Sequence, residues 1–403
     1  MRKCAIVLLL WGIAFPAMAA RIMSIDQMEQ FLIKLHGKPD GKVAGELEDA
    51  RLTERVSQAR LARWEADFTG KRTQEELMKL ADTSAFLNPP ASDVLRDPPP
   101  DEDTQRQMLE HAVEYIKTTM TRLPNFYVTR ETTHFEETLS QHATSSVAPA
   151  AMGTRSGGMP VQTSGVSTAT EVKALHSTGE TRTTVTYRDG HEVRDTGMAK
   201  DEMEDQPALG LTTSGEFGPI LDVVMGDVVQ SQVTWLRWEP SVSEPAGVFR
   251  YVVPQDHSDY AVRIPNGAKT IELHPGYHGE IAIDPATGEI LRISAAADLP
   301  QPFETMQTAI LVEYGAVTIG DRTYICPTHG VAYSKVPVAG AVAEPQGSTV
   351  TVQTQLNDVA FTQYHLSSAE AHIVSGGSGP EGTTPPAPDA AAEPAVTQPV
   401  SHP

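Results

Sequence analysis

The segment YHGEIAIDPATGEILRI, residues 277–293, carries the strongest fold signal in this chain. Apolar and polar residues alternate along both of its arms, a period of two that is typical of β-strands with one buried face. Turn-forming residues separate the arms at Asp284-Pro285-Ala286-Thr287-Gly288. A calcium loop is the alternative interpretation of that stretch, but calcium sites alternate several oxygen ligands and this one holds a single carboxylate. The segment therefore predicts an antiparallel hairpin.

The same period of two recurs on both sides of this hairpin, from Asn125 onward. It predicts strands at 125–136, 169–176, 180–188, 231–239, 246–253, 258–264, 277–284, 289–295, 308–319, 322–336 and 348–361. Because the connections are short, neighbouring strands are expected to pair antiparallel as a meander. A helix interrupts the strands where apolar residues recur at helical spacing, at Phe217, Ile220, Leu221, Val224 and Met225.

The first part of the chain has helical periodicity instead. Capping boxes, in which Ser or Thr is followed three residues later by Gln or Glu, predict helix starts at Ser24 and Thr73. Together with a segment capped by Thr53, these helices form a predicted helical unit at 24–88. The fold class is therefore α+β, with an N-terminal helical unit followed by a large curved antiparallel sheet, half-barrel-like, and one or two packed helices.

The amino-acid composition predicts the remaining segment boundaries of the chain. Residues 89–103 are rich in proline and acidic residues and form a linker that cannot continue a helix. The β-rich domain is predicted at 104–365 and opens with a helix at 104–122. Residues 140–168 offer little to bury, which predicts a disordered insertion, and the Gly-, Pro- and Ala-rich residues 374–403 predict a disordered tail.

The N-terminus resembles a secretory signal peptide at residues 1–19. Arg2 and Lys3 precede an apolar run of about 12 residues, and Ala17-Met18-Ala19 has the small-x-small pattern of a cleavage site. A membrane anchor is the alternative, but a spanning helix needs about 20 apolar residues. We expect an exported protein, periplasmic or extracellular, cleaved near Ala19 and without a transmembrane segment in its mature form.

The charge and cysteine content limit the partners and the covalent chemistry. The chain has 31 Lys and Arg against 52 Asp and Glu, and removal of Arg2 and Lys3 leaves a net charge of −23. Such an acidic surface repels nucleic acid, which is excluded as a partner. Cys326 would remain as a single cysteine, because Cys4 leaves with the signal. Its place in a strand pattern beside Tyr324 predicts a buried, unpaired thiol.

No motif predicts catalysis, a metal or a cofactor. Cys326 and His329 are three residues apart, but a metal site needs more converging ligands, and a cysteine nucleophile needs an oriented base and an oxyanion site. A non-enzymatic protein is therefore favoured. An enzyme of unrecognised type is the alternative, with polar candidates on the central hairpin at His278, Glu280 and Arg292.

Four aromatic residues on two neighbouring strands are the candidates for lining a ligand site: Trp235, Trp238, Phe249 and Tyr251. Packing in the core is the alternative interpretation. Since Trp235 and Trp238 are three residues apart, a regular strand would point them to opposite faces.

The strand pattern resembles exported bacterial proteins of the lipoprotein-carrier half-barrel type (LolA, LppX and RseB). The resemblance rests on the arms at 277–284 and 290–293, on Val248-Phe249-Arg250-Tyr251, on Val312-Glu313-Tyr314-Gly315 and on Gly320-Asp321-Arg322-Thr323-Tyr324. It covers about 105–365 and implies an incomplete barrel around an apolar cavity. The resulting hypothesis is a non-enzymatic protein that binds an apolar or lipid-like ligand. The alternative is an envelope interaction or sensor module that uses the helical unit and the acidic surface to bind an envelope protein.

Overall fold

The computed structural model describes residues 21–118, 123–145, 166–193, 219–228, 231–241, 244–266, 269–304, 306–337 and 352–367. The predicted signal peptide at 1–19, the tail at 374–403 and the middle of the predicted insertion at 146–165 lie outside the described residues. None of the helices that the structure describes is long and apolar enough to cross a bilayer.

The helical unit folds around an apolar core of its own. Its elements are β1 (Arg21–Met23), α1 (Ile25–Leu35), α2 (Asp40–Leu47), β2 (Ala50–Leu52), α3 (Gln58–Asp67) and α4 (Lys71–Ser84). Strands β1 and β2 pair in parallel. The core side chains come from all four helices and include Ile25, Met28, Leu32, Leu47, Trp64, Leu77 and Leu80.

The helix starts differ in part from the predicted caps. The capping box of Ser24 and Gln27 is confirmed at the start of α1. The predicted box at Thr73 is wrong, because α4 begins at Lys71 and Thr73 lies inside its first turn. The carboxylate of Asp40 replaces the cap from the start of α2 and accepts a hydrogen bond from the Thr73 amide at 2.9 Å. A side chain from another helix satisfies that free amide, which no local motif can indicate.

The β-rich part follows α5 (Glu102–Thr118) and contains α6 (Pro219–Val228). Its strands are β3 (Phe126–Ser145), β4 (Val166–Arg188), β5 (His191–Val193), β6 (Gln232–Glu239), β7 (Ala246–Val253), β8 (Val262–Asn266), β9 (Lys269–Leu273), β10 (Gly276–Ile283), β11 (Ile290–Asp298), β12 (Gln307–Ile319), β13 (Arg322–Pro337) and β14 (Val352–Leu366). Ten of them form one antiparallel sheet in the order β5-β4-β3-β14-β13-β12-β11-β10-β7-β6. The predicted α+β class is confirmed, and the sheet remains open.

The strand order departs from a simple meander in two places. Strands β10 to β14 are sequential neighbours, but β14 then pairs with β3, so the first and last long strands lie side by side. The hairpin β8–β9 forms a separate two-stranded sheet. Strands β3 and β4 also extend into both ends of the stretch predicted as a disordered insertion, where Ser145 pairs with Val166.

The two faces of the large sheet are covered differently. One face packs against α5 and α6 in the main core, with buried side chains that include Phe126, Phe249, Tyr277, Ile281, Val312 and Cys326. On the other face, α4 and the residues after it contact a smaller apolar cluster of Phe135, Leu175, Leu311, Val331 and Leu356. The predicted linker also contacts the sheet, because Leu95 bridges to Trp238 on the edge strand β6. The helical unit thus lies against the sheet face opposite α5 and α6.

Cys326 is buried and unpaired, as predicted. Burial raises the pKa of its thiol to about 12, which keeps it protonated and unreactive. We expect slow labelling of Cys326 by a thiol reagent in the folded protein and fast labelling in denaturant, measured by mass spectrometry of the Cys326 peptide. Cys326→Ser should cost about 1–3 kcal/mol of stability, because it buries a hydroxyl without a ready partner. Rapid labelling of the native protein would contradict the buried position.

Candidate functional site

A band of charged side chains, here called the charged layer, lies between the helical unit and the sheet. The helical unit contributes Arg55 and Asp82 to it. The sheet contributes residues from six strands, Arg237, Glu239, Glu280, Arg292, Glu313, His329 and Asp358. The strand register places these side chains in a row, because Arg292 pairs with Glu313 and Glu313 pairs with His329 on adjacent strands. Side chains that are paired across strands share a face, so alternation brings these polar residues together.

His329 is the centre of one half of the charged layer. Its Nε2 lies 2.8 Å from Asp358 Oδ2 and 3.8 Å from Asp82 Oδ1 on α4. Its Nδ1 lies 3.1 Å from Glu313 Oε2, and the Gln58 side-chain amide is 3.0 Å from the same nitrogen. One imidazole therefore faces three carboxyl groups, two from the sheet and one from the helical unit.

Burial and the contacts among these charged groups shift the pKa values of His329, Glu313 and Asp82. Burial alone lowers the pKa of His329, but hydrogen bonds to Asp358 and Glu313 raise it well above its ordinary value. Burial raises the pKa of Glu313, but the hydrogen bond from His329 and the charges of His329, Arg292 and Arg55 together leave the pKa below its usual range. Burial and the charge of Asp358 raise the pKa of Asp82 well above its usual range. Asp82 is 1% exposed, and its Oδ2 has no hydrogen-bond partner among the described residues.

The other half of the charged layer is an arginine–glutamate network. Glu239 accepts hydrogen bonds from Arg55 at 2.8 Å and from Arg292 at 2.9 Å, and Arg237 contacts it as well. Burial would raise the pKa of Glu239, but the charges of Arg292 and Arg55, then that of Arg237, lower it to about 2. Arg237 also donates to Glu280 Oε2 at 2.6 Å. Arg55 thus attaches the helical unit to edge strand β6 through a buried carboxylate.

The polar residues proposed from the central hairpin separate into two groups. Glu280 and Arg292 meet in the charged layer, with Arg292 Nη2 3.8 Å from Glu280 Oε2. His278 does not join them, because it is exposed near the start of β10 and pairs with Asp298 at 3.0 Å. Sequence reasoning missed Arg55, Asp82 and Asp358 altogether. Asp358 is a polar residue at an inward strand position, a signal that is visible only once the register is known. Arg55 lies in a loop and Asp82 on α4, so neither belongs to a strand pattern.

His329 and Cys326 do not form a common site. Cys326 packs in the main core, whereas His329 contacts Asp82 on α4. Among the described residues, Asp82, His329 and Asp358 form a group of possible metal ligands. Their ligand atoms all lie within 4.8 Å of one another. Two carboxylates and an imidazole are ligands suited to divalent metal ions.

The four aromatic candidates lie together, with Phe249 and Tyr251 in the main core and Trp235 and Trp238 partly buried against it. Trp235 is 4.7 Å from Trp238 and 5.2 Å from Phe249, measured between ring centroids. The expectation that the two tryptophans point to opposite faces is wrong, because a bulge between Trp235 and Arg237 adds a residue and returns both rings to one face. Phe249 and Tyr251 are fully buried against their neighbours. That these rings line a ligand cavity stays a prediction.

No protein-family model matches the chain, and no curated protein has a matching sequence.

Proposed function

We propose that this chain is a non-enzymatic, exported interaction or sensor module, in which the helical unit is a releasable docking element. The observation that carries this proposal is the composition of the contact between the unit and the sheet. Each side has its own apolar core, and the two sides meet largely at the charged layer, with a small apolar cluster near Ala85 and Phe86. Polar contacts of this kind are typical of domain interfaces that open and close.

The energetics of the charged layer support a releasable contact. Burying ions costs desolvation energy that their mutual attraction only partly returns, so such an interface is weaker than an apolar one of equal area. Arg55, at 2.8 Å from Glu239, and the buried Lys79, which donates to the Leu175 carbonyl at 3.1 Å, orient the unit on the sheet. These polar contacts therefore fix the orientation of the helical unit on the sheet, but they stabilise the interface less than a continuous apolar core would.

Arg55→Met tests this proposal. We expect it to weaken docking by about 2 kcal/mol, since a buried hydrogen-bonded charge is lost, and thus to raise the equilibrium constant for local opening roughly thirtyfold. Amide hydrogen exchange should rise in the helical unit and at β13, while α5 and α6 stay protected. Arg21→Met is the matched control, because Arg21 pairs with Glu46 within the helical unit and is exposed. Exchange that rises equally across the whole chain would show the unit to be a structural cap.

Binding of an apolar or lipid-like ligand is the second candidate function. The aromatic sheet face beneath α5 and α6, and the resemblance to lipoprotein-carrier half-barrels, support it. Each methylene moved from water to an apolar site contributes roughly 0.8 kcal/mol, so an acyl chain can supply the affinity. Native mass spectrometry of protein purified from its own envelope distinguishes the candidates. A lipid adduct supports the carrier, and a protein partner lost on deletion of 24–88 supports the docking module.

A further inference from the structure

We propose that Asp82, His329 and Asp358 form a binding site for one divalent transition-metal ion of the Zn²⁺ type. The ion would join α4 of the helical unit to β13 and β14 of the sheet. This site goes beyond the proposed function, because metal binding requires neither a partner nor opening of the helical unit.

The donor atoms already converge in the metal-free arrangement. His329 Nε2 is 2.8 Å from Asp358 Oδ2 and 3.8 Å from Asp82 Oδ1. The full set of ligand atoms fits within 4.8 Å. Zinc binds imidazole nitrogen and carboxylate oxygen at about 2.0–2.2 Å, so an ion among these atoms needs only small side-chain movements. Two of the ligands lie on neighbouring strands of a sheet and the third on a packed helix, which are rigid supports for such a site.

A second carboxylate orients the imidazole. Glu313 Oε2 accepts from His329 Nδ1 at 3.1 Å, which directs Nε2 towards Asp82 and Asp358. Histidines that bind metals regularly donate their other ring N–H to a carboxylate in this way, because the contact fixes the tautomer and the ring plane. In the metal-bound form Nε2 gives up its proton and its lone pair binds the ion.

The Asp82 carboxyl group gives a second, independent observation that supports the site. Its carboxyl group is buried, at 1% exposure, and its Oδ2 has no hydrogen-bond partner among the described residues. Asp82 contacts His329, whereas Arg55 and Arg292 are engaged with Glu239. A buried carboxyl oxygen without a hydrogen-bond partner is costly, and a divalent ion at this position would satisfy it and neutralise Asp82 and Asp358 together.

The donor set determines the class of metal. Calcium takes six to eight oxygen ligands, and soft ions such as Cu⁺ prefer sulfur. One imidazole with two carboxylates suits zinc and its first-row neighbours. Zn²⁺ is therefore the probe of choice.

The experiment uses purified, untagged protein treated with EDTA and then dialysed. Titration with ZnCl₂, followed by calorimetry and by the unfolding temperature, is expected to show one ion per chain and a higher unfolding temperature. Asp82→Asn and Asp358→Asn should each weaken binding at least tenfold, and Glu313→Gln, which alters the orienting contact, about 10–100-fold. His278→Ala is the matched control, because His278 and Asp298 form an exposed His–Asp pair 3.0 Å apart on the same sheet.

Three results would overturn the site: no binding by the parent chain, equal binding by the Asp82 and Asp358 variants, or loss of binding in His278→Ala. Circular dichroism confirms that each variant is folded. If one is not, the visible spectrum of the Co²⁺-loaded parent chain decides, since binding by an imidazole and two carboxylates shifts and strengthens the weak d–d bands of the aqueous ion. A Co²⁺ spectrum identical to that of the aqueous ion overturns the site. Failure of the docking proposal would appear separately, in hydrogen exchange of the metal-free protein.

Discussion

Gly279→Ala is expected to destabilise the protein by about 4 kcal/mol, at the upper end of single-substitution effects. Gly279 lies on β10, in the centre of the hairpin that carries the strongest fold signal. A Cβ at this position would lie 1.8 Å from the Ser294 carbonyl oxygen and 2.6 Å from the Tyr251 hydroxyl. The contact is with backbone of the paired strand, so relief requires the β10–β11 pairing to shift, and the Tyr251–Ser294 hydrogen bond is lost as well.

Denaturant unfolding followed by tryptophan fluorescence measures this effect. Gly330→Ala is the matched control in the same sheet, because the nearest atom to its added Cβ is the Leu311 carbonyl oxygen at 3.6 Å, an ordinary contact. We expect that variant to change the free energy of unfolding by less than about 1 kcal/mol. Equal midpoints for the two variants would mean that Ser294 does not approach Gly279 as closely as described.

The strands were predictable because the alternation of apolar and polar residues within a short segment indicates which face of a strand is buried. The segment predicted at 246–253 is β7 with the same bounds, and the one predicted at 308–319 differs from β12 by a single residue. Helix α2 was missed, since its sequence DGKVAGEL contains two glycines that resemble turn residues. The order of the strands was also out of reach, because the pairing of β3 with β14 depends on contacts between distant segments.

The candidate site was predictable only in fragments. Glu280 and Arg292 could be found on one hairpin, since both are near in sequence. Asp82 and His329 are separated by most of the chain, and they meet because α4 packs across β13. His329 is three residues from Cys326 in the sequence, but the two side chains lie on opposite faces of the sheet. Residues that are brought together by packing of distant segments have no fixed spacing in the sequence, so no sequence motif can indicate such a site.

Glu239→Gln is expected to lower the free energy of unfolding at pH 7 by about 3 kcal/mol. Burial alone raises the pKa of Glu239, whereas Arg292, Arg55 and Arg237 lower it from 4.5 to about 2. A shift of one pKa unit corresponds to about 1.4 kcal/mol, which gives the expected size. Without this charge, the three arginines share Glu280 and are left close together in a buried site.

The same group sets a pH window for stability. The folded-state pKa of Glu239 is depressed, so its contribution is complete above about 4.5 and is lost as the pH falls towards about 2. Glu239→Gln lacks that contribution at every pH, so its curve should converge with that of the parent chain across this window. Glu272→Gln is the control, because Glu272 pairs with Arg263 at 2.8 Å on an exposed hairpin and should contribute less than about 1 kcal/mol. Urea unfolding at pH 7, 4 and 3 measures the difference between the variant and the parent chain. A difference that stays constant with pH would show that the surrounding arginines do not hold Glu239 ionised.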